Sequence, residues 1–293
     1  MIYLITALYH EARPLIRTLS LKAVQAIHTF PCYQDDERRF TLVISGTGKA
    51  AAAAAVGSAC TFFGVSDSDF LILTGTSAVI REPDHPSESS LFLCHKIRDH
   101  ASHRVFYPDM LLASGLDEAA CITVDRVLQP EDAAALKKMA GDDGEERVLA
   151  DMEASAVWEA GMYFFAPHRI VIAKAVSDDG NGRSVTAGTV EQTMASCLPE
   201  MEKLLASVTA CSEILRQRQG HTEDENALFE KLSAYLHCSE TMRIRLRQLI
   251  RYSELEAIDL EQLLVEEGIT EDLPCRDRRE GKKILEKIRD KLL

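Results

Sequence analysis

Residues 40–64 read "FTLVISGTGKAAAAAAVGSACTFFG". Phe40 to Ser45 form a short apolar and β-branched run of the kind that makes a buried strand. Gly46 and Gly48 then free the backbone for a turn, and Lys49 opens a stretch with six consecutive alanines, the best helix formers. Strand, glycine turn and helix in immediate succession form the repeating unit of an α/β domain. Alanine adds no bulk, so this helix is expected to lie close against its sheet.

The same alternation recurs on both sides. Apolar runs at Ile2–Leu8, Phe70–Thr74, Ser90–Ile97, Ala120–Val124, Val148–Met152 and Ile170–Ser177 read as further strands, with helices expected in the intervals. The fold class that follows is α/β, a mixed, largely parallel central sheet flanked by helices, over residues 1–218. Past Gln219 the character changes. Residues 219–293 keep helical periodicity with charged outer faces and no strand-like run, which predicts a C-terminal all-helical module. Leu228, Leu232, Leu236, Ile244, Leu246, Leu249 and Ile250 supply its apolar stripes. Gly268 and Pro274 punctuate it before a last helix from Arg279 to Leu292.

Composition narrows the function. A chain of 293 residues accommodates one large domain with an appendage, and a net charge of −13 argues against a nonspecific grip on nucleic acid, which needs clustered Lys and Arg. The N-terminal apolar run lacks a basic leader and meets His10, Glu11 and Arg13 at once, unlike a signal peptide or membrane span. Eight scattered cysteines without a CxxC pair suit reduced thiols in a cytoplasmic protein. Cys94, His95, His100 and His103 cluster in sequence, but their spacing matches no zinc pattern, so no metal is expected. A small-molecule ligand is the expectation.

Three acids stand at element ends, where open α/β sheets bind ligands. Glu11 follows the first strand by a short turn, Glu153 follows "VLADM", and Asp178 ends "RIVIAKAVSD". Each taken alone fits a solvated helix cap, because the helix dipole favours carboxylates there. In "SGTGK" the glycines let the backbone approach a ligand, and the following helix start offers N–H groups to an anion or a sugar.

Taken together, "ITALYHEA", "SGTGKAAAA", "LTGTSA", "DMEASAV" and "AKAVSDD" resemble, in order over about residues 1–210, the purine nucleoside phosphorylase superfamily, in particular the nucleosidases acting on 5′-methylthioadenosine and S-adenosylhomocysteine. The resemblance implies hydrolysis of an N-glycosidic bond, with a nucleoside as partner, a homodimer, and neither metal nor organic cofactor. It implies that Asp178 protonates the leaving purine, that Glu11 orients and deprotonates the attacking water, and that Glu153 accepts hydrogen bonds from both ribose hydroxyls. Met152 matches the residue packed on the sugar, Thr76 and Ser77 keep hydroxyls at the ligand turn, and Phe106 lies in a loop matching the wall of the 5′-substituent pocket, or else is a core aromatic. Asp151 receives no role.

The chain departs from that pattern at three places. Gly75-Thr76-Ser77-Ala78-Val79 loses the later glycines of the family's turn. Lys174 stands where the nucleosidases carry an arginine near the water, and lysine lacks the guanidinium fork. Val127 and Leu128 replace an aromatic-aliphatic pair beside the adenine, which removes a stacking face. Two other readings stay open: a phosphorylase, disfavoured by Leu73 and Glu11 where phosphate-binding arginines are expected, and a nucleoside-binding protein whose helical tail docks a protein partner.

Overall fold

The computed structural model describes residues 1–84, 89–142, 144–180, 185–256 and 258–292, excepting the side chains of 141–142, 218–225 and 254–255. The chain divides into two compact units, Met1–Arg216 and Gln217–Leu293.

In the first unit the elements are, in order, β1 (Ile2–Thr6), α1 (Tyr9–Thr18), β2 (Lys22–Val24), β3 (Cys32–Gln34), β4 (Phe40–Ile44), α2 (Lys49–Phe63), β5 (Phe70–Arg81), β6 (Leu91–Asp99) and β7 (Val105–Phe106). They continue with β8 (Asp117–Thr123), α3 (Pro130–Asp142), β9 (Val148–Asp151), α4 (Ala154–Gly161), β10 (Ile170–Asp178), α5 (Ala187–Ser196) and the start of α6 (Leu198–Tyr235). Three intervals differ from expectation. The β2–β3 hairpin follows α1, no helix is present between β6 and β8, and the described residues between Thr74 and Ser90 hold the rest of β5 and no helix.

The sheet is mixed. β1 pairs in parallel with β4 and β5, and β5 in parallel with β10. β5 also pairs antiparallel with β9, and the order β10–β6–β8–β9–β5 returns to β10, so these strands close on themselves while β1, β4, β3 and β2 extend as an open wing. The closure explains a correction to the sequence reading. Gly75 to Val79 are not a turn; they continue β5 as one strand of 12 residues, because β10 on one side and β9 on the other pair with that stretch.

Residues alternate across the sheet as a period of two requires. Tyr3, Ile5, Val43, Leu71 and Leu73 face one core, and Ile2, Leu4, Leu42, Phe70 and Ile72 the other. The alanine run behaves as expected: Ala52, Ala55 and Ala59 are fully buried among Tyr3, Ile5 and Val43, which brings α2 close to the strands. Burial of this kind contributes about 25 cal/mol per Å² of apolar surface.

The second unit holds the end of α6, then α7 (Glu240–Leu255), α8 (Leu260–Glu266) and α9 (Arg278–Leu292), around a core of its own that includes Leu232, Leu236, Leu246, Leu249, Ile250 and Ile288. Ile244, counted in the apolar stripe, is 55% exposed. The buried stripe of α7 runs through Met242, Leu246, Leu249 and Ile250, and a residue two positions from Met242 and Leu246 points the opposite way at 100° per residue. Gly281 is required by packing: a Cβ there would sit 1.8 Å from the Leu236 carbonyl oxygen. Among the described residues no helix is long and apolar enough to cross a membrane.

Candidate active site

A cavity of about 630 Å³ opens in the first unit at the C-terminal ends of β1, β9 and β10 and beside Thr76, Ser77 and Ala78 in the second half of β5. Glu11, Glu153 and Asp178 all line it, together with Thr76, Ser77 and Met152. Val127 and Leu128 stand at its wall as well.

Glu11 follows β1 by a short turn, in the first turn of α1, and it is 3% exposed. Its Oε2 accepts the Ala7 and Leu8 N–H groups at 3.0 and 2.9 Å, and its Oε1 accepts the Thr76 N–H at 2.7 Å and the Thr76 hydroxyl at 2.8 Å. A carboxylate has about four lone-pair sites, so these donors fill it. The only rotatable donor of the set is the Thr76 hydroxyl, which is the one able to yield to an incoming water. Gly75 exists for this carboxylate: a Cβ there would stand 2.8 Å from Glu11 Oε1.

Glu153 occupies the N-cap of α4, yet it makes no capping bond. Asp151 does that work instead, its Oδ2 accepting the Glu153 N–H at 3.2 Å and the Ala154 N–H at 2.7 Å. The Glu153 side chain is thereby released toward the cavity. Its Oε1 accepts the Gly48 N–H at 2.8 Å, so the "SGTGK" turn spends that N–H on a protein carboxylate. Gly46 and Gly48 hold φ of +81° and +94°, conformations that other residues adopt only with strain.

Burial pushes the Glu153 carboxyl above the usual carboxylate range. The nearby Lys174 and the Gly48 N–H pull it down, while Asp151 and Glu11 add to the rise. Lys174 lies 3.7 Å from Glu153 Oε2 and 2.8 Å from Asp151 Oδ2. For Lys174 burial favours loss of the proton, but Asp151, then Glu153, outweigh it and hold the ammonium above its usual value. Thr123 completes the cluster, its hydroxyl donating to Asp151 Oδ1 at 2.8 Å.

Asp178 closes β10 just past an irregularity in its pairing with β5, and bulges re-aim side chains in this way. Its Oδ2 accepts the Ser177 hydroxyl at 2.8 Å and its Oδ1 the Gly180 N–H at 2.9 Å. A second latch fixes the glycine turn from behind. Lys49 Nζ reaches Asp99 Oδ2 at 2.8 Å and Asp125 Oδ1 at 2.6 Å. Burial works against the ionised Asp99, yet Lys49, Ser102 and Ser155 outweigh it and hold the carboxyl well below its usual range.

Two expected site residues lie elsewhere. Lys174 is 1% exposed and stands behind Asp151 and Glu153 rather than in the cavity wall. Phe106 pairs with Ile97 through β7 and packs on the first core under the Arg104 guanidinium, away from the cavity. Of the residues weighed as metal ligands, Cys94 is in the core and His95 lies between Glu118 and Glu145, while the His100 and His103 rings meet edge to face at 6.4 Å. Asp151 and Thr123 were missed. A lysine inside the apolar strand "IVIAKAV" is the signal that a buried counter-charge must exist.

With this geometry in place, the chain superimposes on solved nucleosidases. The 5′-methylthioadenosine/S-adenosylhomocysteine nucleosidase of Neisseria meningitidis, solved with methylthio-immucillin-A, matches with a TM-score of 0.56 at 19% identity, covering 71% of this chain and 97% of that one. The corresponding enzyme of S. pneumoniae matches at 0.57 and 17%, covering 71% and 99%. Futalosine hydrolase of Helicobacter pylori matches at 0.56 and 11%, covering 70% and 97%. The fold is that of these nucleosidases. No family model and no curated relative matches the sequence.

Proposed function

We propose that the protein hydrolyses the N-glycosidic bond of a 5′-modified adenosine and releases adenine. The observation that carries this reading is the meeting of Glu11, Glu153 and Asp178 around one cavity, from three separate parts of the chain. N-glycoside cleavage passes through a cation-like sugar, so it needs a proton for the leaving base, a held ribose and a positioned water.

Asp178 donates its carboxyl proton to N7 of the purine as the C1′–N9 bond breaks and the bonding electrons pass to the base. Glu153, ionised, accepts hydrogen bonds from the two ribose hydroxyls, a pairing that a carboxylate fills with both oxygens. Water adds to C1′ and gives its proton to Glu11, with the Thr76 hydroxyl turning aside. Met152 packs on the sugar, Thr76 and Ser77 border it, and Val127 and Leu128 flank the base. Lys174 acts from behind, holding the acids rather than touching substrate.

Water is the favoured nucleophile because the described residues of the cavity offer phosphate little positive charge. Arg126 at its wall is already paired with Asp132 at 2.9 Å, and Lys174 is covered by carboxylates. The base site is more open than a stacked one, since Val127 is 71% exposed. A homodimer in the cytoplasm, serving salvage of methylthioadenosine, belongs to the same proposal and rests on the resemblance. The test is incubation with a panel of 5′-substituted adenosines, with and without phosphate, following free base by chromatography. Adenine release independent of phosphate is the expected result; release only with phosphate, or none from any nucleoside, overturns it.

A further inference from the structure

The helical unit carries a second cavity, of about 740 Å³, between α7 and α9. Its floor is apolar, made by Met242, Leu249 and Leu285, all buried, with Tyr252 beside them. Its rim is cationic: Arg245, Arg278, Arg279, Lys282 and Arg289 converge on it, against Glu286 as the acid in its lining. That concentration is unexpected in a chain of net charge −13.

Two features of this rim favour an anionic ligand. Among the described residues no ion-pair partner reaches the side chains of Arg245, Arg278, Arg279 or Lys282, although acids are plentiful in the unit. Arg278, Arg279 and Lys282 also occupy the opening turns of α9, where the helix dipole favours negative charge and disfavours cations. Asp277 caps those turns through the Arg279 and Glu280 N–H groups, so the local helix start is satisfied and the groove-side cations are surplus to it. A bound anion resolves both the unpaired charges and the opposed dipole.

We propose that this groove binds an organic polyphosphate of nucleotide size. The guanidinium forks of Arg278, Arg279 and Arg245, with Lys282, take the phosphate oxygens, a geometry for which arginine is suited. An apolar or aromatic body covers Met242, Leu249 and Leu285 and meets the Tyr252 ring. The cavity volume falls within the range of about 300–1,000 Å³ typical of small-molecule sites.

The test is calorimetric titration of the full chain with ATP and with inorganic triphosphate, in saturating adenosine so that the nucleoside cavity is occupied. One ATP per chain is expected, bound more tightly than triphosphate, and weakened about tenfold or more by Arg279→Ala with Lys282→Ala. Circular dichroism of that variant checks that its helices persist, and its nucleosidase turnover serves as a control for the other unit. No binding of either probe overturns the proposal, as does ATP binding that adenosine abolishes and the double variant leaves unchanged. Silence toward ATP with length-dependent binding of single-stranded RNA, or of an acidic helical peptide, replaces the small ligand with a macromolecule and overturns it equally.

Discussion

Lys174 sets its ammonium 2.8 Å from Asp151 Oδ2, and the two side chains are 1% and 0% exposed. The pair answers why the chain tolerates "DME" straight after an apolar strand: Asp151 anchors a cation that also faces Glu153, and the acids are held by charge rather than by solvent. Breaking a buried pair by removing one partner costs about 3–5 kcal/mol, because the other charge is stranded. Lys174→Met is therefore expected to lower the urea midpoint by a corresponding amount, measured by circular dichroism. Lys174→Arg keeps the charge in a packed site and should lose less, about 1–3 kcal/mol from overpacking. Equal stability of the parent and the methionine variant would show that the pair holds nothing.

Asp178→Asn removes the proton donor while keeping the shape of the side chain; its amide oxygen can still accept the Gly180 N–H, and its NH2 can donate to the Ser177 hydroxyl, which then accepts instead of donating. Turnover is expected to fall by about two to four decades, with little change in the dissociation constant of a nucleoside, since general acid catalysis is worth about that much. Rapid-quench turnover and equilibrium binding, measured on one preparation, separate the two effects. A variant as fast as the parent removes Asp178 from the chemistry.

The βα unit at residues 40–64 was legible because both of its periods are local, and α2 appears where the alanines place it. The three acids were legible as strand-end carboxylates, and they do share a cavity. What the sequence hid is non-local. The extension of β5 through Val79 depends on β9 and β10 pairing with it, and nothing within "GTSAV" announces those partners. Phe106 pairs with Ile97 across a hairpin, which takes it away from the site to which its loop position pointed. Asp151 was left without a role because its partner, Lys174, was assigned to the ligand instead.

Gly75 and Glu11 offer a test that leaves every polar group in place. Gly75→Ala puts a Cβ 2.8 Å from Glu11 Oε1, inside contact distance, so the carboxylate must shift and give up part of its bonding to Thr76. The expected outcome is a protein that folds, with turnover down by about tenfold or more, since small misplacements of a catalytic group cost rate steeply. Full activity in this variant would detach Glu11 from the water.

The raised pKa of Glu153 ties ligand binding and stability to pH with opposite signs. The ribose hydroxyls need the ionised form, so affinity for a ribose-bearing ligand should fall on acidification, beginning above the range where an ordinary glutamate titrates. For stability, the folded state holds this proton more tightly than the unfolded chain. Its contribution is therefore favourable below the unfolded pKa and is lost as pH rises through the raised folded value. At pH above that value the parent carries the cost of a buried charge, which Glu153→Gln removes. The variant should then be at least as stable as the parent in mildly alkaline buffer, with the advantage shrinking as pH falls from the raised folded value to the ordinary carboxylate range, while its affinity for ribose-bearing ligands stays weak throughout. Thermal melts across pH, paired with binding of adenosine and of its 2′,3′-dideoxy analogue, check both halves. Parent protein that binds the dideoxy compound as well as adenosine contradicts the ribose assignment, and a variant less stable at every pH contradicts the sign.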